Sequence, residues 1–276
     1  MQVLKIIIRI ILFCLLTVLT QIGGIVYIIS LLTHKITDKW TARNFQKRIY
    51  RLTSFLVIYT LTTFLIVPFL AKQLGRVPLP LNETHHLKPL NVLTCFLNRN
   101  YVRAELKQTA FEVAEQMNKE FPGTTTNYLD ANFPFINQFP LFPHLSHNDG
   151  KKLDISFCYK DSKTGNSTNK CPSFIGYGIC EEPLPNEQNT SDFCTEKGYR
   201  QYNLLTKIVS QDNKKNFIFD DNKTKTLVNL FSKQANVGKI FIEPHLKTRL
   251  KLTSDKVRFQ GCQAVRHDDH LHIQIK

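Results

Sequence analysis

The chain has 276 residues, is 42% hydrophobic and carries a formal net charge of +14. That charge is not spread as a nucleic-acid-binding surface would spread it. Residues 1–76 hold ten Lys/Arg and one acid, whereas the remainder holds 26 basic and 21 acidic side chains, so the excess belongs to an apolar N-terminal region and nucleic acid is excluded as an expected partner.

Ile10 to Thr33 contains no charged residue, and Leu52 to Ala71 is a second uncharged run. About 20 apolar residues cover a bilayer core of roughly 30 Å, so each run predicts a membrane-spanning helix. The first also outlasts the about 7–15 residues of a signal-peptide h-region. Between the runs lie Lys35, Lys39, Arg43, Lys47, Arg48 and Arg51. Short loops rich in Lys/Arg stay in the cytoplasm. Lys5 and Arg9 pull the N-terminus the same way with fewer charges. The expectation is a two-helix transmembrane hairpin over residues 1–76, basic loop inside, both ends outside, and the C-terminal domain in the periplasm of a bacterial inner membrane.

Gln73 to Leu90 is interrupted by Pro78, Pro80 and Pro89, and residues 77–102 as a whole read as a linker. Leu106, Ala110, Val113, Met117 and Phe121 recur at helical spacing, which predicts a helix over Arg103–Lys119 ended by Pro122-Gly123. Thr124–Leu129 reads as a strand. Asn132–Pro143 reads as a loop forming one wall of a cleft. Asp161–Lys197 is a polar excursion with too little apolar content for its own core. Tyr199–Ser210 and Thr226–Gln234 read as helices, Lys239–Ile242 and Val257–Phe259 as strands, and Pro244–Leu252 as a helical turn or two. The domain, residues 103–276, is expected to be α+β, a small antiparallel sheet with flanking helices. Cys95, Cys158, Cys171, Cys180, Cys194 and Cys262 lie beyond the anchor. An even number in an exported domain favours disulfides, without choosing the pairing.

Five of the nine histidines fall in two windows, His144–Ile155 and the C-terminal stretch from Arg266. His270-Leu271-His272-Ile273-Gln274-Ile275 has the period of a strand, so His270 and His272 share one face while Leu271 and Ile273 point into the core. Lys152-Leu153-Asp154-Ile155 alternates likewise and puts Asp154 on the face opposite Leu153 and Ile155. Gly150 sits where the chain turns from loop into strand and needs permissive backbone angles. His147, Asp154 and His272 are candidate zinc ligands, and three protein ligands with one open position is the arrangement of a catalytic zinc site. Asp268 shares strand parity with His270 and is the expected orienting acid. Asp269, on the other parity, is expected to be structural. Arg266 or Arg258 is a candidate partner for a substrate carboxylate. His245 is not expected to be a ligand.

Ser146-His147-Asn148-Asp149-Gly150-Lys151-Lys152-Leu153-Asp154 resembles the Ser-His-x-x-Gly-x-x-Val/Leu-Asp motif of the penicillin-insensitive murein endopeptidases. His267-Asp268-Asp269-His270-Leu271-His272 resembles the His-Asp-Asp-His-x-His motif of the same family, which belongs with lysostaphin-type enzymes, D-Ala-D-Ala carboxypeptidases and the hedgehog domain. The resemblance spans roughly Thr124 to Lys276. It implies Zn2+ on His147, Asp154 and His272, His270 as the catalytic histidine, and His144 and His267 as further active-site histidines. It also implies hydrolysis of peptide bonds in peptidoglycan cross-links, with stem peptides as substrate. A D-Ala-D-Ala carboxypeptidase and a non-catalytic hedgehog-like zinc-binding interaction domain are the alternatives. Lys151, Lys152 and the cysteine-containing excursion depart from the family pattern, and so does the membrane hairpin.

Overall fold

The structure, a computed structural model, describes residues 2–199, 201–202 and 204–276. It opens with α1 (Gln2–Thr20) and α2 (Gly23–Thr37), so the uncharged run 10–33 is not one helix. Gln21 takes a left-handed φ of 65° and the chain reverses there. Thr20 Oγ1 accepts from the Gly23 N–H at 2.8 Å and caps the start of α2. Gly24 lies so close to α1 that a Cβ there would meet Phe13 O at 2.7 Å. In a straight helix those two residues would be roughly 16 Å apart. After a short 3-10 turn, α3 (Asn44–Leu61) returns along α2, with Thr33 Oγ1 2.7 Å from Ser54 Oγ. A π-helical stretch, Thr62–Ile66, and α4 (Val67–Gln73) prolong α3.

Three helices therefore stand where two were expected. Arg9 lies within electrostatic range of His34, so Lys5 and Arg9 share one end of the bundle with the basic loop. Gln2–Thr20 and Asn44–Gln73 are each long and apolar enough to cross a membrane, by length and composition, and little of either is buried. The α1–α2 turn is at the other end and touches the rest of the chain. Gln21 Oε1 accepts from Phe135 N at 2.8 Å, and Tyr59 OH donates to Phe96 O at 2.6 Å.

The expected linker is part of the folded domain. It contains β1 (Val77–Pro78), β2 (Leu87–Pro89), α5 (Leu93–Phe96) and β3 (Tyr101–Val102). Leu79, Leu87, Cys95 and Val102 are buried in the main core. The prolines misled because they lie where a missing N–H is tolerated: Pro89 is on β2, the edge strand of the main sheet.

Then come α6 (Ala104–Glu120), β4 (Thr126–Tyr128), β5 (Lys152–Ser156), β6 (Tyr159–Asp161), β7 (Ser167–Thr168), α7 (Thr190–Glu196), β8 (Phe217–Phe219), α8 (Asp221–Lys233), β9 (Val237–Phe241), α9 (Pro244–Arg249), β10 (Val257–Arg258) and β11 (His270–Ile275). The main sheet has the order β10-β9-β11-β5-β4-β2. It is mixed, not antiparallel, because β10–β9 and β2–β4 run parallel. Leu106, Ala110, Val113 and Met117 of α6 are buried with Leu227, Val228 and Phe231 of α8, beside Leu153, Ile155, Leu271 and Ile273 from the sheet. Asp220 caps α8 by accepting from Lys223 N at 3.1 Å. Tyr199–Ser210 is not a helix: only a 3-10 turn, Leu205–Lys207, forms there, and residues 200 and 203 lie outside the described residues.

Among the described residues, one disulfide forms, Cys194–Cys262, while Cys95, Cys158 and Cys171 carry thiols. It ties α7, in the polar excursion, to the approach of β11 across 68 residues of sequence. Closing a loop of that length removes unfolded-state entropy worth about 4 kcal/mol at most. Replacing both cysteines by serine is expected to lower unfolding stability by about 2–4 kcal/mol, read from the denaturant midpoint. An unchanged midpoint would mean that the bond does not restrain the excursion.

Candidate metal centre

Two elements carry the centre, and the core decides how they face each other. Leu271 and Ile273 are buried on one side of β11, which turns His270 and His272 to the other. β11 pairs with β5 in a register that sets His272 directly opposite Asp154. A slip of one residue would bury both groups in the core.

The loop before β5 brings His144 and His147. Gly150 ends it with a φ of 82°, where a Cβ would press on Arg76 and Arg103. Asn132 clamps the loop to the sheet: its Oδ1 accepts from Gly150 N at 3.0 Å and its Nδ2 donates to Lys152 O at 2.8 Å. The buried Arg76 guanidinium donates to Phe133 O, to Asn137 Oδ1 and to Asn148 O.

His147 Nε2, Asp154 Oδ1 and His272 Nδ1 form a nearly equilateral triangle. The sides are 3.0 Å between the two imidazoles, 3.0 Å from His272 to Asp154 and 3.2 Å from His147 to Asp154. Donors at about 2.0–2.1 Å from a tetrahedral ion lie roughly 3.3 Å apart. The His147 tautomer also fits, since Nδ1 donates to Ala131 O at 2.6 Å and leaves the Nε2 lone pair facing the triangle. Burial pulls the His272 imidazole down to about 4 against the opposing pull of Asp154, so it is neutral near pH 7. Burial opposes ionisation of Asp154, but His147 and His270 outweigh it and hold its carboxyl well below the usual range. Three electron-pair donors thus converge at one buried point, an arrangement that a divalent cation relieves. The cluster has the donors and geometry to bind a metal.

The other oxygen of Asp154 faces a second set of rings. Tyr177 OH donates to Asp154 Oδ2 at 2.8 Å, while His144 Nδ1 and His270 Nε2 each stand 3.6 Å from it. His270 Nδ1 contacts Asp269 Oδ1, and its buried Nε2 has no hydrogen-bond partner among the described residues. Burial would depress the His270 pKa, but Asp154, Asp269 and Asp268 outweigh it and raise it to about 9. His144 Nδ1 is 3.0 Å from Asp130 Oδ2, which Arg99 also contacts at 2.6 Å. His267 borders His270 and His272, with ring centroids 5.0 and 5.5 Å away, and burial holds it neutral. All six histidines and carboxylates expected at the site are therefore buried in one cluster.

Beside the cluster opens a cavity of about 220 Å³. His144, Tyr177 and His270 form its polar side, and Phe142, Leu145 and Leu204 are among its apolar walls. The 132–143 loop does supply a cleft wall. His267 does not line the cavity.

Two assignments reverse. Asp269, not Asp268, holds His270, because Asp269 precedes β11 in a turn where strand parity does not apply. Its Oδ2 accepts from Gly178 N at 2.6 Å. Asp268 pairs with Arg266 instead, and burial raises its carboxyl to about 7 against that pairing. Arg266 is taken up by Asp268 and Glu182, and Arg258 Nε donates to Asp255 O at 2.9 Å, so neither lines the cavity. His245 stands apart, 2.7 Å from Glu181 O.

Tyr177 and Asp130 carry no sequence signal. Tyr177 lies in the polar excursion, whose folded path the disulfide and Asp269 fix. Its hydroxyl accepts from Asp130 N at 3.0 Å, so its own proton is directed at Asp154. Tyr177→Phe is expected to weaken metal binding about 10–100-fold, measured by competition with a chelator. Unchanged affinity would show that Asp154 needs no orienting partner.

No family model matches the chain, and no curated protein matches it.

Proposed function

We propose that this protein is a membrane-anchored zinc metallopeptidase of the murein-endopeptidase type, which hydrolyses peptide bonds in peptidoglycan cross-links. The observation that carries the reading is the triangle of His147, Asp154 and His272 with a non-ligand histidine, His270, beside it. A purely structural metal site is usually closed by a fourth protein ligand. A free Nε2 next to three ligands and an open cavity instead suits catalysis.

Zinc bound at the triangle would polarise the scissile carbonyl and lower the pKa of the attacking water toward 7. The remaining work falls to the chain. Asp269 fixes the His270 ring through Nδ1, which leaves Nε2 to exchange a proton with the reacting groups or to donate to the developing oxyanion. Tyr177 holds Asp154 in place for its role as ligand. His144, tied by Asp130, forms the polar edge of the cavity. The apolar walls exclude bulk water and strengthen these interactions.

The helices support a tether. With Lys5, Arg9 and the basic loop at one end and the folded domain at the other, one orientation satisfies the positive-inside rule: basic end cytoplasmic, domain periplasmic. The N-terminus then lies inside, not outside as the two-helix reading had it.

The test uses the full chain in detergent with purified wall fragments. Release of cross-link peptides is expected, lost on chelation and restored by zinc. Release that survives chelation, or none in zinc-loaded protein, would overturn the reading.

A further inference from the structure

We infer that the mouth of the active site rests on the bilayer surface, so that its substrate is a peptide carried by the membrane. The inference deepens the membrane-anchored peptidase reading and depends on it. Under that reading the substrate class is the cross-linked stem peptides of nascent strands that still carry their lipid, not those of the mature wall at a distance from the membrane.

The loop bearing His144 and His147 is bolted to both domain-side ends of the helices. Gln21, in the α1–α2 turn, accepts from the backbone N–H groups of Phe135 and Ile136. Arg76, three residues past the end of α4, is 1% exposed and donates to Phe133 O, Asn137 Oδ1 and Asn148 O. One arginine side chain thus separates the end of the apolar helix from the residue after His147. A site held this closely cannot swing out on a linker, because residues 77–102 are folded into the core.

Exposed apolar side chains run from the helices onto α5, and Arg99 then links α5 to the rim of the cavity. Leu65 and Phe69 face outward from the last turns of the apolar helix. Phe64 there packs edge-on against Phe96 of α5 at 5.0 Å. Val92 and Leu93, at the start of α5, are half exposed. Arg99, just beyond, donates to Phe142 O at 2.7 Å. Phe142, Leu145 and Leu204 are 58%, 53% and 63% exposed and line the cavity. Scattered exposed apolar residues need no explanation, but exposed apolar side chains on both the helix end and the cavity rim fastened to it do. The occupant that this placement selects is the interfacial layer of the same bilayer, where apolar faces sit about 5–10 Å deep.

The experiment places single tryptophans in a Trp40→Phe background, since Trp40 is the only tryptophan. Leu56→Trp, Leu93→Trp and Phe142→Trp are read in nanodiscs of ordinary or brominated phosphatidylcholine. All three are expected to be quenched, Leu56→Trp by bromines deep in the acyl chains and the other two by bromines near the headgroups. Quenching at Leu56 with none at Leu93 and Phe142 overturns the inference and leaves the anchor intact. No quenching at Leu56 overturns the membrane reading and the inference together. In the same nanodiscs, zinc-loaded protein is expected to cut a cross-linked stem-peptide dimer tethered to lipid roughly tenfold or more faster than the same dimer free in solution, through effective concentration. Equal rates overturn the substrate assignment, whereas failure to cut either peptide overturns the peptidase reading.

Discussion

His272→Ala is expected to abolish stoichiometric zinc binding. The ring supplies one corner of a triangle with 3.0 Å sides and lies buried between His147 and Phe241. Its removal leaves two ligands where a catalytic site needs three. The loss should exceed the about 10–100-fold that removal of a supporting partner costs. The measurement is metal per chain after dialysis, with circular dichroism to show that the domain is folded. A variant that keeps one zinc per chain would break the ligand assignment. His147→Ala should behave in the same way, because its Nε2 is the second corner, 3.0 Å from His272 Nδ1 and 3.2 Å from Asp154 Oδ1.

His270→Ala is expected to do the opposite, keeping the metal and losing turnover by about 10²–10⁴-fold. That range is about 3–5 kcal/mol of transition-state stabilisation. The reason lies in the two nitrogens. Nδ1 is engaged by Asp269, while Nε2 is buried, 3.6 Å from Asp154 Oδ2, with no hydrogen-bond partner among the described residues. A buried polar atom left unpaired costs about 1–3 kcal/mol, which a substrate contact would recover. The drop should appear in kcat with little change in KM, since the contact forms as the reaction proceeds. If His270→Ala and His272→Ala hold zinc equally well, the division between ligand and catalytic histidine is wrong. If His270→Ala loses zinc, His270 is a ligand and the proton-transfer role passes elsewhere.

Much of the site was legible because strands have a fixed period. Leu271 and Ile273 had to be buried, so His270 and His272 had to face away, and Asp154 followed from Leu153 and Ile155 by the same logic. Helical periodicity likewise placed α6 within a residue of its observed bounds, and it found the C-terminal part of α8 but not its start at Asp221. The misreadings share one cause, which is dependence on distant neighbours. The prolines of 77–102 looked like a linker because sequence does not say that β2 will be an edge strand beside β4. The run 10–33 looked like one span because no proline marks the reversal, and the Gln21 side chain at the turn is held by Phe135 and Ile136 more than a hundred residues away. Tyr199–Ser210 was expected to be a helix, but Tyr202, Leu204 and Leu205 from it line the cavity instead.

The sequence by itself determined the donors and their local direction: which residues could bind a metal, which face of each strand they leave, and where the apolar runs lie. Those properties rest on side-chain chemistry and on backbone periods that any strand or helix must obey. Only the tertiary structure decided the rest: the register that sets His272 against Asp154, the exchange of Asp269 for Asp268, the arrival of Tyr177 from the excursion, and the fastening of the histidine loop to the helix ends. Each of these is a contact between segments far apart in the chain, selected by how the whole core packs and not by any local preference.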